Sequence, residues 1–366
     1  MSIFGSGNKN KVGVDIGTAA VKIVEVTKSD NRMALTNYGL FEIEPGESAI
    51  SLSASDHGSG KHLSDQEVIW GVKEVVKRTG MKAKDVIASI PSFPTFATTI
   101  TLPYSSEDEI AKSVPFEARK YIPIPLSEVK LKWAVINVNK NPQADQARPL
   151  GSVSGPSVDV FFVAVPNDEI KRYEMIMKES GLNLIDLELE NFALIRSLLG
   201  NDLSPVVIVN MGGRGSSIAV VDNGYQRINR DFEIGSFAIT KAIAKSLNVS
   251  SQRAEELKKS LGMRPGDDNI IRQAINSLVD LIIFEASKII FNYEDTKKTR
   301  IGKVLLVGGL ANMPFFTNYF AEKLGREVVI GNSLSRVVLP SQLESLRPEL
   351  STTFAVAIGL AMKDVK

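Results

Sequence analysis

One short unit occurs twice in this chain, once near the start of each half: an apolar strand, a turn of small residues, and a second apolar strand. In the first half it spans Val12 to Val26. Val12 and Val14 alternate with smaller or polar residues, Gly17 punctuates, and Val21, Ile23, Val24 and Val26 resume. In the second half, Pro205 to Asn210 is an apolar strand, Met211 to Ser217 a glycine and serine turn, and Ile218 to Asp222 a second strand. Asn223-Gly224 then predicts a two-residue hairpin turn. Two such units imply an internally duplicated α/β protein, with a ligand held between two lobes. The length agrees, because 366 residues exceed one compact core and suit two lobes of ordinary domain size.

The stretches around these units complete an α/β pattern. Strands are expected at Met33 to Phe41, Val86 to Ile90, Phe96 to Leu102, Val129 to Val138 and Val158 to Val165. A helix is predicted from Asp65, as its cap, to Thr79, with Val68, Ile69, Val72, Val75 and Val76 as its apolar stripe and Gly80 as its stop. Another runs from Ser106 to Tyr121. Ser106 and Glu109 form its capping box, and Pro115 lies in its interior. Asp168 to Ser180 is a third. In the second half, helices are expected near Ser236 to Leu247, Ser251 to Ser260, Ile270 to Tyr293 and Met313 to Leu324, with a closing helix at Ser351 to Met362. Lys303 to Val307 is a buried strand running into Gly308-Gly309. Glu44 to Asp65 and Asn139 to Pro156 are polar and read as loops.

Composition removes several function classes. The chain has 43 basic and 42 acidic residues, so no charge excess favours nucleic acid as a partner. It has no cysteine, which excludes disulfides, thiolate catalysis and zinc fingers. Its two histidines, His57 and His62, sit in a Ser/Gly-rich stretch and read as part of a solvated loop rather than a metal site. The opening residues lack the apolar core of a signal peptide, and no apolar run reaches the ~20 residues needed to cross a bilayer. The expectation is a cytoplasmic protein that meets a membrane only through partners.

Three motifs carry chemistry. In V-G-V-D-I-G-T-A-A-V-K (Val12 to Lys22), Asp15 ends a strand. Gly17, Thr18, Ala19 and Ala20 are small enough for backbone N–H groups to approach a polyphosphate, with Thr18 adding a hydroxyl. Asp15 is the candidate magnesium acid, directly or through water. In V-V-I-V-N-M-G-G-R-G-S-S-I (Val206 to Ile218), Gly212 and Gly213 would cradle phosphates from the opposite side and Arg214 would pair with their oxygens. In V-L-L-V-G-G-L-A-N-M-P (Val304 to Pro314), a buried strand meets paired glycines, a turn that can lie flat against an adenine or ribose. There is no G-x-x-x-x-G-K-[ST] loop and no G-x-G-x-x-G fingerprint, and the histidines allow no Ser/His/Asp triad.

Taken in order, D-I-G-T, N-M-G-G-R-G-S-S and V-G-G-L-A-N-M-P resemble the phosphate 1, phosphate 2 and adenosine motifs of the actin/Hsp70/sugar-kinase superfamily. The stretches I-A-S-I-P-S-F-P-T-F-A-T-T-I-T-L-P and F-E-A-R-K-Y-I-P-I-P-L-S-E-V (Phe116 to Val129) resemble the PilM family of type IV pilus assembly proteins, itself similar to the division protein FtsA. L-E-L-E-N-F-A-L, A-E-E-L-K and F-A-V-A-I-G-L-A also resemble family segments. The resemblance implies an actin-like, ribonuclease H-like two-lobed ATPase fold with an FtsA-type inserted subdomain. The first lobe would comprise residues 1–81, 158–199 and 345–366, the insert 82–157, and the second lobe 200–344. It further implies ATP or ADP with Mg²⁺ as ligands, held at Asp15, Gly17, Thr18, Ala19, Ala20, Lys22, Asn210, Gly212, Gly213 and Arg214. Glu255 and Lys258 would lie near ribose and base, and Gly308, Gly309 and Asn312 at the adenine. The implied partner is the N-terminal cytoplasmic tail of a PilN-like membrane protein, with Phe116, Arg119 and Tyr121 as candidates for its groove. Pilus motor ATPases and a second copy of the chain are further candidate partners, and the implied location is the cytoplasmic side of the inner membrane.

The chain departs from the family pattern where it matters for turnover. Asn210 stands where phosphate 2 usually has Asp, and asparagine lacks the charge that orients metal and water. Asn191 replaces a frequent Pro, and Leu310 a third glycine. Glu190 remains a candidate water-orienting acid. The expectation is a nucleotide-dependent scaffold of a pilus or related secretion machine with slow or no hydrolysis. The rivals are an FtsA-like division protein, which would add an amphipathic membrane helix after the closing helix, and a small-molecule kinase of the same superfamily, for which no substrate acid motif stands out.

Overall fold

The computed structural model describes residues 10–29, 32–42, 63–92, 95–139, 155–266 and 270–364. His57 and His62 lie outside the described residues, as do most of the two predicted polar loops. The chain divides into two compact units, Met1–Ile90 with Ile176–Lys366, and Pro91–Met175.

The larger unit holds two sheets of the same design. The first uses β1 (Asn10–Ile16), β2 (Ala20–Ser29), β3 (Arg32–Glu42) and β4 (Asp85–Ile90). The second unit's three strands follow in the chain: β5 (Phe96–Pro103), β6 (Val129–Asn139) and β7 (Ser157–Pro166). Back in the larger unit come β8 (Asn183–Leu189), β9 (Val206–Met211), β10 (Ser216–Asp222), β11 (Tyr225–Phe232), β12 (Lys303–Val307), β13 (Val328–Ile330) and β14 (Val337–Val338). The six-stranded sheet has the order β14-β3-β2-β1-β4-β8 and the five-stranded sheet β11-β10-β9-β12-β13. In each, an antiparallel meander is joined at its first strand to two parallel strands. The duplication read in the sequence is therefore a duplication of topology, in which β9 takes the place of β1 and β10 that of β2. β4, β9 and β12 are nearly continuous apolar runs and β1 is buried from Val12 to Ile16, as strands covered on both faces must be.

The helices are α1 (Asp65–Thr79), α2 (Glu107–Ala118), α3 (Asn167–Glu179), α4 (Glu190–Leu198), α5 (Ser236–Leu247), α6 (Ser251–Leu261), α7 (Ile270–Lys297), α8 (Phe316–Leu324), α9 (Arg347–Thr353) and α10 (Ala355–Ala361). The cap of α1 is Ser64, one residue before the expected Asp65. Its side chain accepts from the Glu67 N–H, Glu67 answers the Ser64 N–H, and Gly80 ends the helix at φ 67°. The expected closing helix is two helices, broken at Phe354, and α8 starts at Phe316 rather than Met313. β8, α4 and β11 had no assignment from sequence.

Between the two sheets lies a helical layer. Ala193, Leu194 and Ile195 of α4 and Ala355, Val356 and Leu360 of α10 form one core with Ile87 of the first sheet and Val206, Ile208, Leu305 and Val307 of the second. The other face of α10 packs on the first sheet, where Ala357, Ile358 and Ala361 meet Val24, Val26 and Leu35. The closing helix thus packs against the first sheet. Small residues allow it. A Cβ on Gly359 would stand 1.9 Å from the Ala193 carbonyl oxygen, and one on Gly13 2.1 Å from that of Ala357.

The second unit is a three-stranded antiparallel sheet, β5-β7-β6, with α2 packed on it through Ile110, Val114 and Ala118. Ser106 and Glu109 form the expected capping box. Pro115 falls in the last turn of α2, where the missing N–H deprives only the Ala111 carbonyl. This unit runs Pro91–Met175, not 82–157, for a reason visible in the pairing. β4 hydrogen-bonds to β1 and β8 and so belongs to the large sheet, while β7 is the centre of the small one.

Gly359→Val tests the helical layer. It is expected to lower unfolding stability by about 3 kcal/mol or more, because overpacking meets backbone that cannot swing aside. Gly302→Ala, where a Cβ meets nothing within 4 Å, is the control and should change stability by less than about 0.5 kcal/mol in the same urea titration.

Candidate functional site

The turns that follow β1 and β9 are built alike. The Gly17 N–H donates to the Ala20 carbonyl, and the Gly212 N–H to the Gly215 carbonyl, each at 2.9 Å. Counting from these bonds, Asp15 corresponds to Asn210, Lys22 to Ser217, and Gly17 to Gly212. The register of the hairpins agrees, with Asp15 opposite Lys22 and Asn210 opposite Ser217. The turns face each other closely. A Cβ on Gly213 would lie 2.7 Å from the Ala19 Cβ, and Arg214 Nε donates to the Thr18 carbonyl at 3.2 Å. Arg214 also covers the Phe237 ring, 5.3 Å from its centroid. Burial pulls its guanidinium below the ordinary value, and it stays charged at any physiological pH.

Asp15 is 5% exposed. Its Oδ1 accepts from Ser89 Oγ on β4 at 2.8 Å, and its Oδ2 accepts from Lys22 Nζ at 3.2 Å. Both carboxylate oxygens thus have partners from the protein. Ser89 was not singled out from sequence, although a hydroxyl inside the apolar run of β4 was the available signal. Phe237 carried no such signal.

A second polar group adjoins the β9 turn. The Gly212 and Gly213 carbonyls accept the Ser236 and Phe237 N–H groups that open α5. Gly235 must be glycine here, since a Cβ would stand 2.6 Å from the Gly213 carbonyl oxygen. Lys258 of α6, 3% exposed, reaches this corner. Its Nζ donates to Ser236 Oγ, to Thr240 Oγ1 at 2.9 Å and to Glu255 Oε2 at 2.6 Å. Thr240 Oγ1 in turn donates to Glu255 Oε2 at 2.6 Å. Burial lowers the Lys258 pKa against the pull of Glu255. Burial also opposes charge on Glu255, but the Lys258 ammonium and the hydrogen bonds outweigh it and hold the carboxyl below its usual range.

The third motif divides. Gly308, at φ 87°, is packed against the end of β9, since a Cβ there would meet the Met211 carbonyl oxygen at 2.2 Å. Its glycine is explained by backbone packing. Around Gly309 a Cβ would meet nothing within 4 Å, which leaves that turn open to a flat group. Asn312 Nδ2 donates to Thr352 Oγ1 at 2.5 Å and ties the turn to α9. Glu190 opens α4 and is half-buried, and the neighbouring Asn191 donates to Gln226 Oε1 at 2.8 Å and Asn229 Oδ1 at 3.0 Å. In the other unit, Phe116 is 70% exposed at the rim of a pocket of about 270 Å³ lined by Leu102, Pro103, Ser113 and Glu117. Tyr121 is half-exposed, its ring 6.1 Å from that of Phe162, and Arg119 caps the end of α2.

The Lys258 cluster sets a pH dependence. A carboxyl held low in the folded state stabilises above its unfolded pKa of 4.5, and that contribution is lost as the pH falls through the folded value. For Lys258 the depressed pKa gives stability that rises as the pH climbs towards 10.5. Glu255→Gln should therefore cost about 2 kcal/mol at pH 7, where it leaves Lys258 buried without its counter-charge. It should also flatten the loss of stability below pH 4.5 measured by thermal unfolding.

Comparison with known proteins agrees with this architecture. The solved PilM–PilN type IV pilus biogenesis complex superposes with a TM-score of 0.76 at 22% identity, over 97% of this chain and 98% of that one. MreB 5 of Spiroplasma citri bound to AMPPNP gives 0.51 at 13% identity, over 96% and 94%. The fold is that of the actin-like proteins. The cell division protein FtsA of Helicobacter pylori is 30% identical over 118 residues, 31% of this chain, so the match spans 24% of that relative's length. Among the described residues, no helix is long and apolar enough to cross a membrane. The family model for type IV pilus assembly protein PilM matches residues 13–365, and the chain belongs to that family.

Proposed function

We propose that this protein is a nucleotide-binding scaffold of the inner-membrane assembly complex of a type IV pilus or related secretion machine, recruiting the cytoplasmic tail of a PilN-like membrane protein. The observation that carries the nucleotide reading is the apposition of two equivalent glycine turns, with Ala19 against Gly213 and the Arg214 guanidinium beside them. Small residues on both sides let backbone N–H groups reach a polyphosphate, and Arg214 supplies charge-assisted hydrogen bonds. Glu255, Lys258 and the open turn at Gly309 lie on the elements expected to meet the nucleoside. That MreB 5 was solved with AMPPNP supports the same reading. Magnesium was expected at Asp15, yet both carboxylate oxygens of that residue are already bonded, by Ser89 and by Lys22. Asn210, neutral where an acid would orient a nucleophilic water, supports a protein that retains nucleotide more than it turns it over. The partner reading rests on membership of the PilM family and on the solved PilM–PilN complex. Phe116 is its best-placed residue, a large aromatic held mostly in water at the rim of an apolar pocket.

Calorimetry with ATP and ADP tests the first half. Binding by the natural protein and a loss of about tenfold or more in Arg214→Ala, roughly 1.4 kcal/mol, is the expected result. Absence of binding by the natural protein would remove the nucleotide from the account.

For the second half, a labelled peptide of the PilN-type tail is titrated and followed by fluorescence anisotropy. Phe116→Ser should weaken it by about tenfold with unfolding stability changed by less than about 0.5 kcal/mol. An unchanged affinity would exclude this pocket.

A further inference from the structure

The two apposed turns present two equivalent positions where an acid could face the phosphates, and this chain fills one of them. Asp15 stands at the first and the neutral Asn210 at the second. The asymmetry extends to the next strand. Opposite Asp15 is Lys22, whose ammonium holds Asp15 Oδ2 at 3.2 Å, and opposite Asn210 is Ser217. The remaining Asp15 oxygen is taken by Ser89. Among the described residues, no group of three or more His, Cys, Asp or Glu side chains is gathered to hold a metal. Magnesium favours carboxylate oxygens and gives up its water reluctantly. With a nucleotide it is held by one or two carboxylates together with the phosphates, and here the carboxylate of the two turns is already neutralised by an ammonium and bonded at both oxygens, which leaves neither oxygen free for it.

The same residues suit a nucleotide without metal. The Asp15–Lys22 pair is neutral as a unit, and Arg214, which pairs with no acid among the described residues, adds a positive charge at the other turn. Lys22 keeps two ammonium protons for phosphate oxygens while its third is on Asp15. We infer that the cation facing the phosphates in this cleft is Lys22 rather than a divalent metal, so that the protein binds ATP and ADP with little dependence on magnesium. This inference rests on the nucleotide reading proposed above.

The test is equilibrium binding, with no turnover needed. Calorimetry or a fluorescent ADP analogue gives the Kd of the full chain in excess EDTA and in millimolar MgCl₂. The Kd values are expected to agree within about threefold, while Asn210→Asp, which restores the second acid, should bind at least about tenfold more weakly in EDTA than in magnesium. Lys22→Met gives an independent reading. It should weaken binding in EDTA by about tenfold and recover part of the loss in magnesium, because Asp15 Oδ2 is then free. Thermal unfolding of each variant confirms that it is folded. A natural protein that loses about tenfold or more in EDTA overturns the inference and leaves nucleotide binding standing. No binding in either buffer overturns the nucleotide reading and the inference with it.

Discussion

The near-contact of two helix backbones in the centre of the larger unit is what the rest of the molecule depends on. Gly359 of α10 lies against the Ala193 carbonyl of α4, and on the opposite face of α10 Ala357 lies against Gly13 of β1. Ser197 Oγ adds a bond to the Ala355 carbonyl at 2.9 Å. With no side chain at these points, the helical layer is thin, and both sheets share its core. That spacing brings the ends of β1 and β9 together so that their turns meet. Arg196 fastens the same layer, bonding Glu188 on β8 at 2.6 and 2.7 Å and the Gly359 carbonyl at 2.8 Å.

Once the turns are apposed, the polar groups around them are satisfied within the protein. Asp15 is bonded by Ser89 and Lys22, Arg214 by Thr18 and the face of Phe237, and Lys258 by Glu255, Thr240 and Ser236. Burying charges without partners would cost several kcal/mol each, so a cleft of this kind is stable only when its ions are paired before any ligand arrives. Pairing also fixes rotamers, and a ligand then meets groups already in place.

The two turns differ in charge at one equivalent position. The second turn repeats the first in backbone geometry yet carries the neutral Asn210 where the first has Asp15. The small unit, with its own apolar core under α2 and an exposed Phe116 beside it, is the natural candidate for the proposed partner surface.

Much of this could be read from the chain alone. Apolar runs of period two, glycine turns and the Asn223-Gly224 hairpin, whose residues take φ of 54° and 75°, are local signals, and strands β1, β2, β9, β10 and β12 followed from them. The turn after β1 stood out as a candidate site because a plain hairpin tip has no need of an acid inside an apolar strand followed at once by small residues. α4 was missed, and so were β8 and β11, since N-L-I-D-L-E-L carries two acids and Y-Q-R-I-N-R-D-F three charged residues, and pairing with β4 and β10 makes these two segments strands. The packing that requires a glycine at 308 was not foreseen, because its contact is with Met211, far away in sequence. Sequence determined the elements and the residue types at the turns, since those depend on neighbours along the chain. The partners of Asp15, the pairing of Lys258 and the boundary of the small unit were decided only by tertiary structure, because each depends on which distant strand or helix comes within hydrogen-bonding reach.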